Sequence, residues 1–132
     1  MEFYKCSICG KIVAMVKEGV PDTVCCGKPM ARLIPNTSDG AGEKHVPVAE
    51  VEGDMVTVKV GAVEHPMLEA HHIEWIALET TSGNQRKMLK PLEKPEAKFA
   101  LLPGEKVKAV YEYCNLHGLW RLDRSCIFLC CL

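Results

Sequence analysis

The sequence is short of charge imbalance, aromatic residues, long apolar runs and helical periodicity, and each shortage excludes something. Its 16 lysines and arginines face 17 acidic residues, a formal net charge of −1. With no basic surplus to neutralise phosphates, general nucleic-acid binding is excluded. No apolar stretch is long enough to span a bilayer, which excludes a helical membrane anchor. The start, Met1-Glu2-Phe3-Tyr4-Lys5-Cys6, lacks an apolar run of signal-peptide length, so the expected compartment is the cytoplasm. Aromatic residues make up only 6% of the chain; Trp75 and Trp120 read as core anchors rather than electron relays. No segment keeps a helical period over three turns, and there is no internal repeat or low-complexity tract. Apolar content of 48% and charged content of 25% are ordinary for a globular protein. A length of 132 residues suits one domain, or one modest domain with a very small appendage.

Cysteine and histidine are what the chain has in quantity, eight and five respectively. In a reducing compartment, eight cysteines read as metal ligands rather than disulfides. Cys6-Ser7-Ile8-Cys9 is a CxxC knuckle followed by Gly10, and fifteen intervening residues lead to the pair Cys25-Cys26 and Gly27. Four thiolates at this spacing converge on one tetrahedral ion, zinc or iron. Glycine after each cysteine group permits a tight turn that points backbone amides at sulfur. Lys11 to Val16 reads as a short strand and Gly19 to Asp22 as a turn. A unit of about 36 residues buries too little apolar surface to fold by packing alone, so the metal supplies much of its folding free energy.

Beyond Pro35 the composition changes. Asn36-Thr37-Ser38-Asp39-Gly40-Ala41-Gly42 is polar and glycine-rich, the signature of a linker or mobile loop. Strand signals follow at Val46–Val51, broken by Pro47, and at Met55–Val60, His72–Thr80, Gln85–Leu89, Lys98–Leu102 and Lys106–Cys114, separated by good turn chemistry. About seven short strands at this spacing predict an all-β fold, a sandwich of immunoglobulin-like type.

The same β region carries His45, His65, His71 and His117 together with Cys114, three residues before the last of them. Cys114-Asn115-Leu116-His117 lets a thiolate and an imidazole of one short segment reach a single ion, a ligand set for a redox metal. All five fall at strand ends or in loops, where a sandwich displays functional groups. His71 is expected to open the long strand and share a face with Ile73 and Trp75, while His72 faces the other way as a surface or edge histidine. A blue-copper site would want a methionine after His117; none follows, and two histidines would be left over.

These motifs, taken in order, resemble one family. Cys6-x2-Cys9-x15-Cys25-Cys26, Glu43-Lys44-His45-Val46-Pro47, His65-Pro66-Met67 with His71-x-Ile73-x-Trp75-Ile76, and Tyr113-Cys114-Asn115-Leu116-His117-Gly118-Leu119-Trp120 are similar to desulfoferrodoxin, the two-iron form of superoxide reductase. The resemblance implies a desulforedoxin- or rubredoxin-like four-cysteine iron domain over residues 1–36 and an immunoglobulin-like catalytic domain over residues 37–120. It implies two irons: one held by Cys6, Cys9, Cys25 and Cys26, the other by His45, His65, His71 and His117 in a square plane with Cys114 on its axis. It further implies one-electron reduction of superoxide to hydrogen peroxide without dioxygen, a defence against oxidative stress. Lys44 would draw in the anion and help deliver protons, and Glu43 would occupy the sixth position in the oxidised state. A rubredoxin-like electron donor and a homodimer complete what the resemblance implies. Residues 121–132, with Cys126, Cys130 and Cys131, depart from the family pattern as an atypical tail without a functional account.

Overall fold

The computed structural model describes residues 1–125 and Ile127. Two compact units divide the chain, Met1–Ile34 and a second that begins at Pro35. In the first, β1 (Glu2–Lys5) lies between β2 (Ile12–Met15) and β5 (Ala31–Arg32), and β3 (Val24–Cys25) pairs with β4 (Lys28–Pro29). Lys5 pairs with Ile12, so the Cys6–Cys9 knuckle forms the connection between β1 and β2. Cys25 pairs with Lys28, which makes Cys26-Gly27 a two-residue hairpin turn. Both turn residues have positive φ, 52° and 74°, the backbone that a type I′ turn demands. Phe3, Cys6 and Met30 are the buried apolar side chains here, while Val16 and Val20 are almost fully exposed. So little apolar burial leaves the metal as the organising element.

The second unit opens with one helical turn, α1 (Gly42–His45), and continues through β6 (Pro47–Glu52), β7 (Met55–Val60), β8 (Ile73–Thr80), β9 (Asn84–Met88), β10 (Glu96–Ala100), β11 (Val107–Cys114) and β12 (Gly118–Asp123). Two antiparallel sheets, ordered β10-β7-β6 and β12-β11-β8-β9, make the expected seven-stranded sandwich. Val56, Val58 and Val60 alternate inward along β7 and join Ile73, Ile76, Leu78, Phe99 and Val110 in one core. Pro47 starts β6 instead of breaking it, because β6 is an edge strand where a missing N–H goes unused.

Two elements differ from the sequence expectation. The Asn36–Ala41 segment is no free linker: Asn36 donates its backbone N–H to Leu119 O (3.1 Å), its side-chain amide to Arg121 O (3.2 Å), and accepts from Arg121 N (2.8 Å). It is a strap laid along β12. The strand itself runs through residues 121–123, pairing Arg121 with Tyr111, Leu122 with Val110 and Asp123 with Ala109, so the segment read as tail begins inside the sheet. Ile127 is buried in the core. Cys126, Cys130 and Cys131 lie outside the described residues.

Candidate metal centres

In the first unit the sulfurs of Cys6, Cys9, Cys25 and Cys26 all lie within 4.8 Å of one another. The amides of Ile8 and Cys9 both donate to Cys6 Sγ, at 3.4 Å each. These bonds hold the Cys6 thiol down to about 6, so it is ready as a thiolate. Cys25 is pushed up to about 12, first by its contact with Cys9 and then by Cys6. One deprotonated sulfur among crowded thiols is the arrangement that a divalent cation relieves.

The second centre is built from four loops at strand ends. His45 ends α1, His65 follows β7, His71 precedes β8 by two residues in a bridge with Leu68, and Cys114 ends β11. Cys114 pairs with Ile73 across a bulge, which brings the thiol beside the His71 segment. Nitrogen and sulfur atoms of His45, His65, His71 and Cys114 fall within 4.8 Å of one another. His117 is outside that set of atoms, but its ring closes the figure. Neighbouring ring centroids are 4.7 Å apart for His45–His65, 4.7 Å for His65–His71, 5.2 Å for His71–His117 and 4.8 Å for His117–His45, with a 6.4 Å diagonal from His45 to His71. Four imidazoles thus stand near the corners of a square.

Backbone carbonyls set the tautomers. A carbonyl only accepts, so the Nδ1 atoms of His45 (2.8 Å to Ala41 O), His65 (2.7 Å to Pro66 O) and His117 (2.6 Å to Asp39 O) carry protons. The Nε2 lone pairs of His45 and His65 then face each other at 3.2 Å. His71 Nε2 is buried without a hydrogen-bond partner among the described residues. Opposed lone pairs and an orphaned buried nitrogen are costly on their own and are satisfied together by one cation. These residues fit a metal ion.

Burial keeps His45, His65 and His71 neutral, as ligands must be. It depresses His65 to about 4 and lowers His45 and His71, with the neighbouring imidazoles and Lys44 adding to the effect on the last two. Cys114 is pulled both ways: burial raises its thiol, while hydrogen bonds from the Leu116 and His117 amides lower it. Two residues before it, Glu112 is fully buried and its carboxylate oxygens have no partner among the described residues. Burial alone pushes that carboxyl well above its ordinary range.

Glu43 and Lys44 sit exposed on α1, immediately before the buried His45. His72 turns its Nδ1 to Leu68 O (3.0 Å), away from the cluster of donor atoms. Trp120 stacks on His45 at 5.0 Å and donates to His117 O, so this core anchor is also a wall of the site. Sequence reasoning missed the supports. Asn115, between Cys114 and His117, accepts from His72 N (2.9 Å) and donates through its side chain to Ala70 O (3.0 Å), clamping the His71 segment. Ser38 donates to His117 O, and a Cβ on Gly40 would stand 3.1 Å from the His45 ring. Asn115 stood inside a recognised motif, a usable signal; the strap residues gave none.

Two family models match the chain, the desulfoferrodoxin N-terminal domain over residues 1–33 and desulfoferrodoxin over residues 37–123. A desulfoferrodoxin of Syntrophotalea carbinolica is 52% identical over 120 residues, covering 91% of this chain and 94% of its own. A desulfoferrodoxin homolog of Archaeoglobus fulgidus is 49% identical over 121 residues, covering 92% and 95%. Among solved structures, the superoxide reductase from Treponema pallidum superposes with a TM-score of 0.78 at 38% identity, covering 92% of this chain and 98% of that one.

Proposed function

The chain belongs to the desulfoferrodoxin family, and from that premise we propose that it is a superoxide reductase with iron held by His45, His65, His71, His117 and Cys114. The observation that carries the reading is the near-square of four imidazoles beside one buried thiol. Iron held by these residues would supply the electron that, with two protons, takes superoxide to hydrogen peroxide without forming dioxygen. Four neutral imidazoles and one thiolate offset a single charge of a divalent ion, so the ligands leave the centre cationic and attractive to a small anion. Lys44, exposed beside His45, adds to that field and holds a proton-bearing water on the solvent side. Glu43, exposed on the same turn, would be the carboxylate that closes the site in the oxidised state. His117, whose ring closes the square, would complete the set.

Cys6, Cys9, Cys25 and Cys26 hold a second iron. The reading extends to a rubredoxin-like donor that returns one electron per turnover, to a homodimer, and to the cytoplasm; no described helix is long and apolar enough to cross a membrane. To test it, the iron-loaded, reduced protein is mixed with superoxide. The expected second-order rate falls as ionic strength rises, because Lys44 and the cationic centre steer the anion, and it vanishes in Cys114→Ser. A protein that cycles its iron reversibly yet ignores superoxide would be an electron carrier instead.

A further inference from the structure

Two loops carry the first two histidines, the α1 turn with His45 and the stretch from β7 to His65, and they come closest at Gly61. Pairing of Pro47 with Val60 starts both loops at one place. From there Val63 donates to Glu43 O (2.9 Å), Gly61 to Val63 O (3.2 Å) and His65 to Val60 O (2.8 Å). A Cβ on Gly61 would stand 2.8 Å from Glu43 O, 2.9 Å from Val46 O and 3.0 Å from the carbonyl carbon of Lys44. All three are backbone atoms of the turn that bears Glu43, Lys44 and His45. No side chain can swing aside to make room, so the turn itself must lift. Gly61 does not need the left-handed backbone; what it provides is space.

We infer that Gly61 is a positioning residue of the histidine centre, whose missing side chain sets the height of the Glu43–Lys44–His45 turn and the approach of His45 to His65. The inference rests on the reductase reading for its effect on superoxide, and on geometry alone for its effect on metal binding. Any added atom at Gly61 separates the two Nε2 atoms that now lie 3.2 Å apart and carries Lys44 with them. Gly83, in the β8–β9 turn, meets nothing within 4 Å of a built Cβ and is the matched control.

The test compares the full chain with its Gly61→Ala and Gly83→Ala variants. Cobalt(II) is titrated into metal-free protein, and each variant is then iron-loaded and mixed with superoxide. Gly61→Ala is expected to lose affinity at the histidine centre by about tenfold or more, the scale seen when groups that orient metal ligands are altered, with the four-cysteine centre unchanged as internal reference. Its superoxide rate falls in parallel, and Gly83→Ala matches the parent in both. A Gly61→Ala protein indistinguishable from Gly83→Ala overturns the inference. If the parent itself ignores superoxide while Gly61→Ala still loses cobalt, the reductase reading fails and the positioning role stands. Should Gly61→Ala not fold, amide exchange in the unaltered metal-free protein decides: slow exchange at Val63 N–H supports the clamp, and exchange at the rate of an open loop overturns it.

Discussion

His65 is depressed from 6.5 to about 4 and is 2% exposed. Between those values the unfolded chain takes up a proton that the folded unit refuses, so stability is full above pH 6.5 and falls as pH drops toward about 4. His45 and His71 shift in the same direction. Glu112 opposes them, since a carboxyl whose folded pKa is raised favours the folded state until pH climbs through that value. Glu112→Gln removes the opposing titration and keeps a neutral group of the same shape, so it is expected to fold. In that background the urea midpoint of metal-free protein should be lower at about pH 5 than at about pH 7, and bound metal should widen the difference, because it keeps protons off the folded imidazoles while the unfolded chain still takes them up. A midpoint indifferent to pH would contradict the neutral-imidazole assignment. At this scale the donor residues were legible because Cys-x-x-His and the separated histidines name their own chemistry. Their supports were not, because Ala41, Pro66 and Asp39 act through carbonyls that every residue possesses.

Among the elements, the strap over residues 36–41 and β12 depend on each other. Asn36 holds both a positive φ of 62° and two side-chain bonds to Arg121. Asn36→Ala removes those bonds and the residue that tolerates the backbone best, for an expected loss of about 1–2 kcal/mol in urea unfolding. A larger effect is expected on metal retention, because the same strap orients His45 and His117; loss of stability with unchanged cobalt affinity would sever the strap from the site. Strand alternation made β7 and the sandwich readable from Val56, Val58 and Val60. The strap hid behind its composition, since Ser38, Asp39 and Gly40 look like free linker until their hydrogen-bond and ring partners are seen. Continuation of β12 into Arg121 was obscured by charge on a strand whose buried positions are Leu119, Trp120 and Leu122.

The whole molecule pairs a unit organised by four thiols with a sandwich organised by its own apolar core. Cys9→Ser is therefore expected to abolish tight metal binding in the first unit and expose its amides to exchange. Trp75 and Trp120 both belong to the second unit, so its tryptophan-detected melt should stay where it was. Simultaneous collapse of both would show that the thiol centre stabilises more than its own unit. Cysteine spacing made the two-unit plan readable from the chain, whereas the square of imidazoles required four loops to be placed at once, which no single spacing encodes. In the proposed function the histidine centre passes one electron to superoxide and stops there. Stopped-flow mixing of reduced, iron-loaded protein with a superoxide pulse, with peroxide and dioxygen both measured, tests it most directly: one peroxide per superoxide and no dioxygen is predicted, and dioxygen release, or no reaction by the fully metallated protein, would contradict it.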